Sequence, residues 1–533
     1  MSDKGITSQT EEFLNSKIGR TVLKELETKA QAKDPLSMFR LGILYYNGKT
    51  VEQNIPQAIE LFKNASSAGS PDAKLLLSTL YMKGENVPLD TKTAYNLVEE
   101  AAGANIPEAQ HILAQFLYEG KYCAKNVRRA ARNFNAAIPL ENPMDSYMVG
   151  KIMEEDDSEE PIYSKILGYY QRAANQNYLD AITATARILR YGKGDVRQNK
   201  GQAFKLYKKA AATGDPEAMT RFGSMIYQNE YGKDPIDLGI IWLKKAMDAN
   251  YNEAFFEYGK LLLPNTDPES KINAYNAFEK VQHIPEAKYL LGKMKIKGDG
   301  TQRSVSGGMM MIKEASKMGY IPAIYSMGIG YRENKNGVKT NIKRAYESFQ
   351  KCAEAEYHPG EYQFAYMIEN GIGCQKDVDK AIKYYKRAAD GGEAKAMFNL
   401  GLIYDKNKKY HNTEQAIKYY QEAADKGIKE AFFNLGMIYK DGEDIEKDIT
   451  KAKEYLATAA DKGVVNAQFW SYKINKDSDM TTAIKYLQMA ADNEHGKAMC
   501  ILGNFLVDGV NVEKDVNQGI SYLAKAASLI YGD

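Results

Sequence analysis

The chain has 533 residues, 44% of them apolar and 26% charged, enough to bury a sizeable core and stay in water. A formal net charge of +2 gives no global attraction to nucleic acid or to an anionic membrane. Four cysteines (Cys123, Cys352, Cys374, Cys500) form no paired framework, which suits a reducing compartment, and no apolar run reaches the length of a membrane-spanning helix.

The first residues, MSDKGITSQTEEFLNSK, lack an apolar signal region, so a cytoplasmic location is expected, with association with the cytoskeleton as a variant. Residues 1–34 read as a tail and a capping helix. Within them 10–33 look like the second helix of an incomplete repeat, with Val22 standing 36 residues before Ala58. The next stretch, LGILYYNGKT (41–50), approaches a phosphate-binding loop through Gly42, Gly48, Lys49 and Thr50. Its glycines are separated by five residues where that loop has four. Such a loop must follow a strand and open a helix, whereas this segment ends a helix, so Gly48 reads as a helix stop.

The reason is a repeat. Aligned on Gly42, the matching positions are Ser78, Ala114, Gly150, Ala186, Gly223, Gly259, Gly292, Gly328, Ala365, Gly401, Gly436, Tyr472 and Gly503. The spacing is mostly 36 residues, and all but Tyr472 are small. A second small residue stands five positions earlier, alanine in eleven cases. Fourteen recurrences of that period indicate a solenoid. In AKAMFNLGLIYDKNKKYHNTEQAIKYYQEAADKG (394–427), Ala396, Leu400 and Tyr404 make one helical stripe, and Ala416, Tyr419, Tyr420 and Ala423 make another. Gly401 is expected to let the paired helix come close. Glycine six past the alignment point, and Gly or Asn four past the second-helix alanine pair, are expected to end the two helices in the left-handed conformation.

The pattern A-x-x-x-L-G-x-x-Y-x-x-G followed by A-x-x-x-Y-x-x-A-A-x-x-G resembles the Sel-one-like repeat family, a tetratricopeptide-like α/α repeat, over about residues 35–530. The resemblance implies an all-α, right-handed superhelical solenoid of helix-turn-helix units. It also implies a scaffold or adaptor that binds other proteins or peptides, with no catalytic residues, cofactor or metal. The repeats divide into 35–284 (repeats 1–7) and 285–533 (repeats 8–14). The division rests on LLLPNTDPES (261–270), which is shortened and holds two prolines, so a change of curvature is expected near 264–285.

Along the chain, EEDDSEEP (154–161) reads as a solvated acidic loop, or more sharply as a contact for a basic partner. Met309, Met310 and Met311 read as gap fillers at the start of a second helix. Cys352, His358 and Cys374 match no zinc spacing, and Cys352 takes the place of a packing alanine. No histidine stands in a catalytic signature.

In related α/α repeats the first helices line the concave face, so the positions two before and one after the alignment point should face the groove. The latter series runs Gln115, Lys151, Arg187, Ser224, Lys260, Lys293, and Arg221 joins it from the former. This basic ladder either is balanced by nearby acids or binds an acidic segment. Asn399 and Asn434 stand two before the point in consecutive repeats, where an amide serves either helix packing or an extended peptide. At the far end Leu523 and Ala527 read as packing positions, and Leu529 and Ile530 as an apolar tip for self-association or an assembly contact. A structural part of a larger cytoskeletal or ciliary assembly is the alternative to an adaptor. An RNA-reading helical repeat is a third, and the near-neutral charge argues against it.

Overall fold

The computed structural model describes residues 17–48, 51–158 and 160–531, with side chains within 21–529. Among these residues are 29 α-helices and no strand. Within each of the two compact units the repeats are hairpins of two helices that pack on one another, and the second helix packs on the first helix of the next repeat.

Local chemistry sets where each helix begins. Many first helices open on a proline, such as Pro35, Pro71, Pro107, Pro216 and Pro285, where a missing N–H costs nothing and the fixed φ suits the helix. Second helices mostly open behind an Asn or Asp. Asp377, Asn412 and Asp448 each accept the backbone N–H three residues on, at 2.9 Å. Each such cap stabilises its helix by about 1 kcal/mol. Gly48 ends Pro35–Asn47 at φ +61°, its N–H donating to the Leu44 carbonyl, so the near-motif at 41–50 follows a helix; Lys49 and Thr50 lie outside the described residues.

The alignment position is a close approach. A Cβ on Gly401 would sit 2.5 Å from the Tyr420 ring, and one on Gly42 2.6 Å from the Phe62 ring. Of the expected stripes, Ala396, Leu400, Ala416, Tyr420 and Ala423 are closed to solvent, while Tyr404 and Tyr419 are half-buried and stack on each other at 5.8 Å. Replacing Leu400 by Ala would cost about 2–5 kcal/mol through lost transfer energy and a cavity.

The chain divides into two compact units, Met1–Pro264 and Asn265–Asp533. The division falls ahead of the repeat boundary at 284/285. The seventh pair is shared out: Asn252–Leu262 goes with the first unit and Pro268–Lys280 with the second.

Three expectations shift on close view. The first described helix, Lys17–Gln31, packs through Leu23 and Ala30, while Val22 is exposed. The run EEDDSEEP is only partly loop: Glu154 and Glu155 finish the helix Pro143–Glu155, and Glu154 is largely buried. In the last helix, Val516–Tyr531, Ala526 is buried and Ala527 is exposed. The second alanine of each pair is covered by the following repeat elsewhere, as Ala424, Ala460 and Ala491 show.

Candidate functional site

The first helices carry the positions expected to face a groove, and the structure shows what each of them meets. Arg187 donates two hydrogen bonds to Glu154, at 2.8 and 2.6 Å. Lys193 approaches the same carboxylate at 3.4 Å, and the Tyr170 hydroxyl donates to it at 3.0 Å. Burial disfavours the Glu154 charge, but the hydrogen bonds and attraction of Arg187 outweigh it and hold the carboxyl below the usual range. Burial, with the Glu154 charge beside it, raises the Tyr170 hydroxyl far above its ordinary value. Arg221 lies 3.6 Å from both Glu253 and Glu257. Two rungs of the basic ladder are therefore neutralised within the first unit.

The other rungs differ. Lys151 lies over Tyr118 at 6.0 Å and Lys260 over Phe256 at 5.0 Å. Lys293, in the second unit, lies over Tyr289 at 5.5 Å. None of the three has an ion-pair partner among the described residues. Gln115 lies against the Met144 sulfur, and Ser224 is buried.

In the second unit the two asparagines take part in helix packing. Asn399 donates to the Tyr385 hydroxyl at 2.9 Å, and that hydroxyl donates to Glu369 at 2.7 Å. One repeat on, Tyr420 donates to Asp405 at 3.1 Å and Asn434 bonds the same hydroxyl. Desolvation and the neighbouring acids keep both phenols protonated.

A rule of the fold emerges that the sequence reading missed. The residue four past the alignment point meets, across the second helix, the residue two before or one after the next point. Glu154 and Arg187 obey it by direct hydrogen bonds, Glu369 and Asn399 through Tyr385, and Asp405 and Asn434 through Tyr420. Arg332 obeys it by donating to Gln363, and Lys440 by lying 4.4 Å from the Trp470 ring. The signal in the sequence is a polar residue four past one point followed by a polar one two before or one after the next, as at Glu154, Arg332, Glu369 and Asp405.

Elsewhere, Cys352 is closed to solvent, and desolvation pushes its thiol up to about 12. His358 faces Glu361 at 2.9 Å, and Cys374 faces the Met367 carbonyl. No group of three metal-ligating side chains occurs among the described residues. Met309 is buried and Met310 exposed. No described helix is long and apolar enough to cross a membrane. Leu523 packs beside Gly503, Leu529 is 55% exposed, and the side chain of Ile530 lies outside the described set.

Comparison with known proteins follows this geometry. The chain is 23% identical over 262 residues to the chitin synthase regulator SKT5 of Saccharomyces cerevisiae, covering 45% of this chain and 37% of that one. It is 24% identical over 273 residues to an uncharacterised protein of Neisseria meningitidis, covering 45% and 57%. It is 29% identical over 116 residues to the mouse cytochrome c oxidase assembly factor 7, covering 20% and 49%. The chain thus spans less than two thirds of each of these relatives. Among solved structures, c5321 of uropathogenic Escherichia coli is 21% identical, with 95% and 94% covered and a TM-score of 0.36. The Sel1 repeat protein of Oxalobacter formigenes is 22% identical, with 54% and 95% covered and a TM-score of 0.34.

A family profile described as Sel1 repeat matches residues 35–70, 71–105, 107–138, 167–178, 179–215, 216–251, 285–320, 358–393, 394–428, 430–464, 474–495 and 496–531. These twelve matches follow the same repeat that gives fourteen alignment points, and they take in most of the chain. The chain belongs to the Sel1 repeat family.

Proposed function

We propose that the protein is a non-enzymatic adaptor that holds partner segments along the faces of its first helices. The observation that carries this reading is the face itself: a repeated succession of half-buried aromatic, amide and charged side chains presented by consecutive first helices. Such a surface offers regularly spaced contacts to an extended or helical segment. The relatives named as a regulator and as an assembly factor support work done through other proteins. Affinity capture with the full chain, followed by mass spectrometry with and without nuclease, tests the reading. Nuclease-resistant, exchangeable protein clients are expected. Partners that vanish with nuclease would overturn it.

One observation favours a fixed place in a larger assembly as a second reading. The last described helix exposes Ile520 and Ala527, whose counterparts Ile417 and Ala424 are half-buried and buried, and Val516 and Leu529 are exposed beside them. Here Ile520→Asp with Leu529→Asp, the latter alongside Ile530→Asp, should leave helicity intact and reduce self-association in sedimentation velocity or co-purification. A strictly monomeric wild type with unaltered co-purification would remove this reading.

A further inference from the structure

The junction between repeats 8 and 9 departs from the rule that the three junctions after it obey. At the three positions occupied by Glu369, Tyr385 and Asn399 in a later junction, it carries Ile296, Ile312 and Ser326. The second helix supplies no tyrosine here, and no long amide reaches across. What remains is a cleft of about 300 Å³ between the helices Pro285–Lys297 and Ile321–Glu333. Ile312, closed to solvent, and half-buried Ile296 give it an apolar floor, and Tyr289 and Tyr325 flank it. The Tyr289 and Ser326 hydroxyls meet at 3.2 Å along one side.

Charge is one-sided here. Lys293, Lys297 and Lys335 belong to the lining, and no carboxylate does. Lys293 and Lys297 have no ion-pair partner among the described residues, and Lys335 reaches only Glu333, at 3.9 Å. The contrast with Arg187, locked on Glu154, is direct. An apolar floor rimmed by unopposed cations fits a segment with a bulky apolar side chain between acidic ones. The apolar group gains by leaving water, and the carboxylates gain charge-assisted hydrogen bonds.

We propose that this cleft is the anchor site for an acidic partner segment, taking one bulky apolar side chain on Ile296 and Ile312 while Lys293, Lys297 and Lys335 hold the flanking carboxylates. The proposal rests on the adaptor reading and names the chemistry of the segment. It also moves the basic contact from the first-unit ladder to a junction with no polar closure across its second helix.

The test uses the full chain and a fluorescein-labelled, amidated peptide, Asp-Glu-Glu-Phe-Glu-Glu-Asp, followed by fluorescence anisotropy. Ile312→Tyr restores the side chain that fills later junctions, and Lys293→Glu with Lys297→Glu reverses the rim. Saturable binding is expected, weakened by at least about tenfold in either variant and by Ala in place of the peptide Phe. Circular dichroism checks the buried Ile312→Tyr change, and the exposed lysine pair serves if that variant does not fold. No saturable binding to the wild type overturns the proposal. So does binding that falls with the lysine changes but ignores both Ile312→Tyr and the loss of the peptide Phe, which is surface attraction without a pocket. Captured partners that persist undiminished on Ile312→Tyr overturn the cleft and leave the adaptor standing. Peptide bound at the cleft with no cellular partner captured supports the cleft and counts against the adaptor.

Discussion

The two units close their repeat junctions with different chemistry at the same positions. In the first, Glu154 is caught by a bidentate arginine, a lysine and a tyrosine hydroxyl, and Arg190 donates to Glu230 nearby. In the second, Glu369 and Asp405 each accept from a buried tyrosine that a neighbouring asparagine also touches. The ionic version holds more charge in a half-dry place and is the more vulnerable to losing one partner. The hydroxyl–amide version satisfies polar atoms with less charge and should lose less when one member goes. Groove-facing charge in a repeat protein is thus not by itself an offer to a ligand, because the junction has first claim on it.

The two tryptophans allow the units to be compared directly, since Trp242 lies in the first and Trp470 in the second. Unfolding in urea followed in Trp470→Phe reports the first unit, and in Trp242→Phe the second. The largest effect is expected for Glu154→Ala, which strands Arg187 and Lys193 and takes the acceptor from Tyr170. It should lower first-unit stability by about 3 kcal/mol and leave the second-unit transition in place. Equal loss in both units would show that the junctions do not act locally. Next comes Tyr385→Phe, which removes the bridge between Glu369 and Asn399 and should cost the second unit about 1–2 kcal/mol.

Asn399→Ala separates packing from binding more sharply. The Tyr385 hydroxyl keeps Glu369 as acceptor, so about 1 kcal/mol of second-unit stability is expected to go, with binding of the acidic peptide unchanged. Lost binding at unchanged stability would return Asn399 to the groove as a ligand contact.

How far the sequence carried this picture depends on range. The period, the helix ends and the close approach at Gly401 are local matters of spacing and backbone conformation, and they were legible. The register of the last helix was not, because Ala526 and Ala527 are chemically identical and only the neighbour that covers one of them tells them apart. The partners of Arg187 and Asn399 were hidden for a similar reason. Glu154 lies 33 residues from Arg187, inside a run whose composition reads as loop. Only the stacking of repeats brings it under the arginine. The open junction at Ile296, Ile312 and Ser326 could be seen only after the rule for closed ones was known.

The smallest effect concerns pH. His411 donates through Nε2 to the Asp444 carboxylate at 2.7 Å, joining the helix–helix loops of two consecutive repeats. That contact, and the Asp405 carbonyl, raise the His411 pKa above its ordinary 6.5, and His411 with Thr413 lowers that of Asp444 below 3.8. A raised histidine contributes stability that is full below its ordinary value and is lost as pH rises through the raised one. The depressed aspartate contributes above its ordinary value and loses that as pH falls. The second unit should therefore hold a slight advantage over His411→Gln at about pH 5 that disappears by about pH 9. An advantage that grows toward alkaline pH would reverse the assigned sign.

The most direct measurement locates the bound segment. The acidic peptide, carrying benzoylphenylalanine in place of Phe, is irradiated with the full chain and the crosslinks are mapped by mass spectrometry. Crosslinks on Pro285–Lys297, Val305–Lys317 and Ile321–Glu333 are expected, at Met309, Tyr289 or Tyr325 above all. Crosslinks concentrated along Lys151, Arg187 and Arg221 would contradict it, placing the ligand on the first-unit ladder.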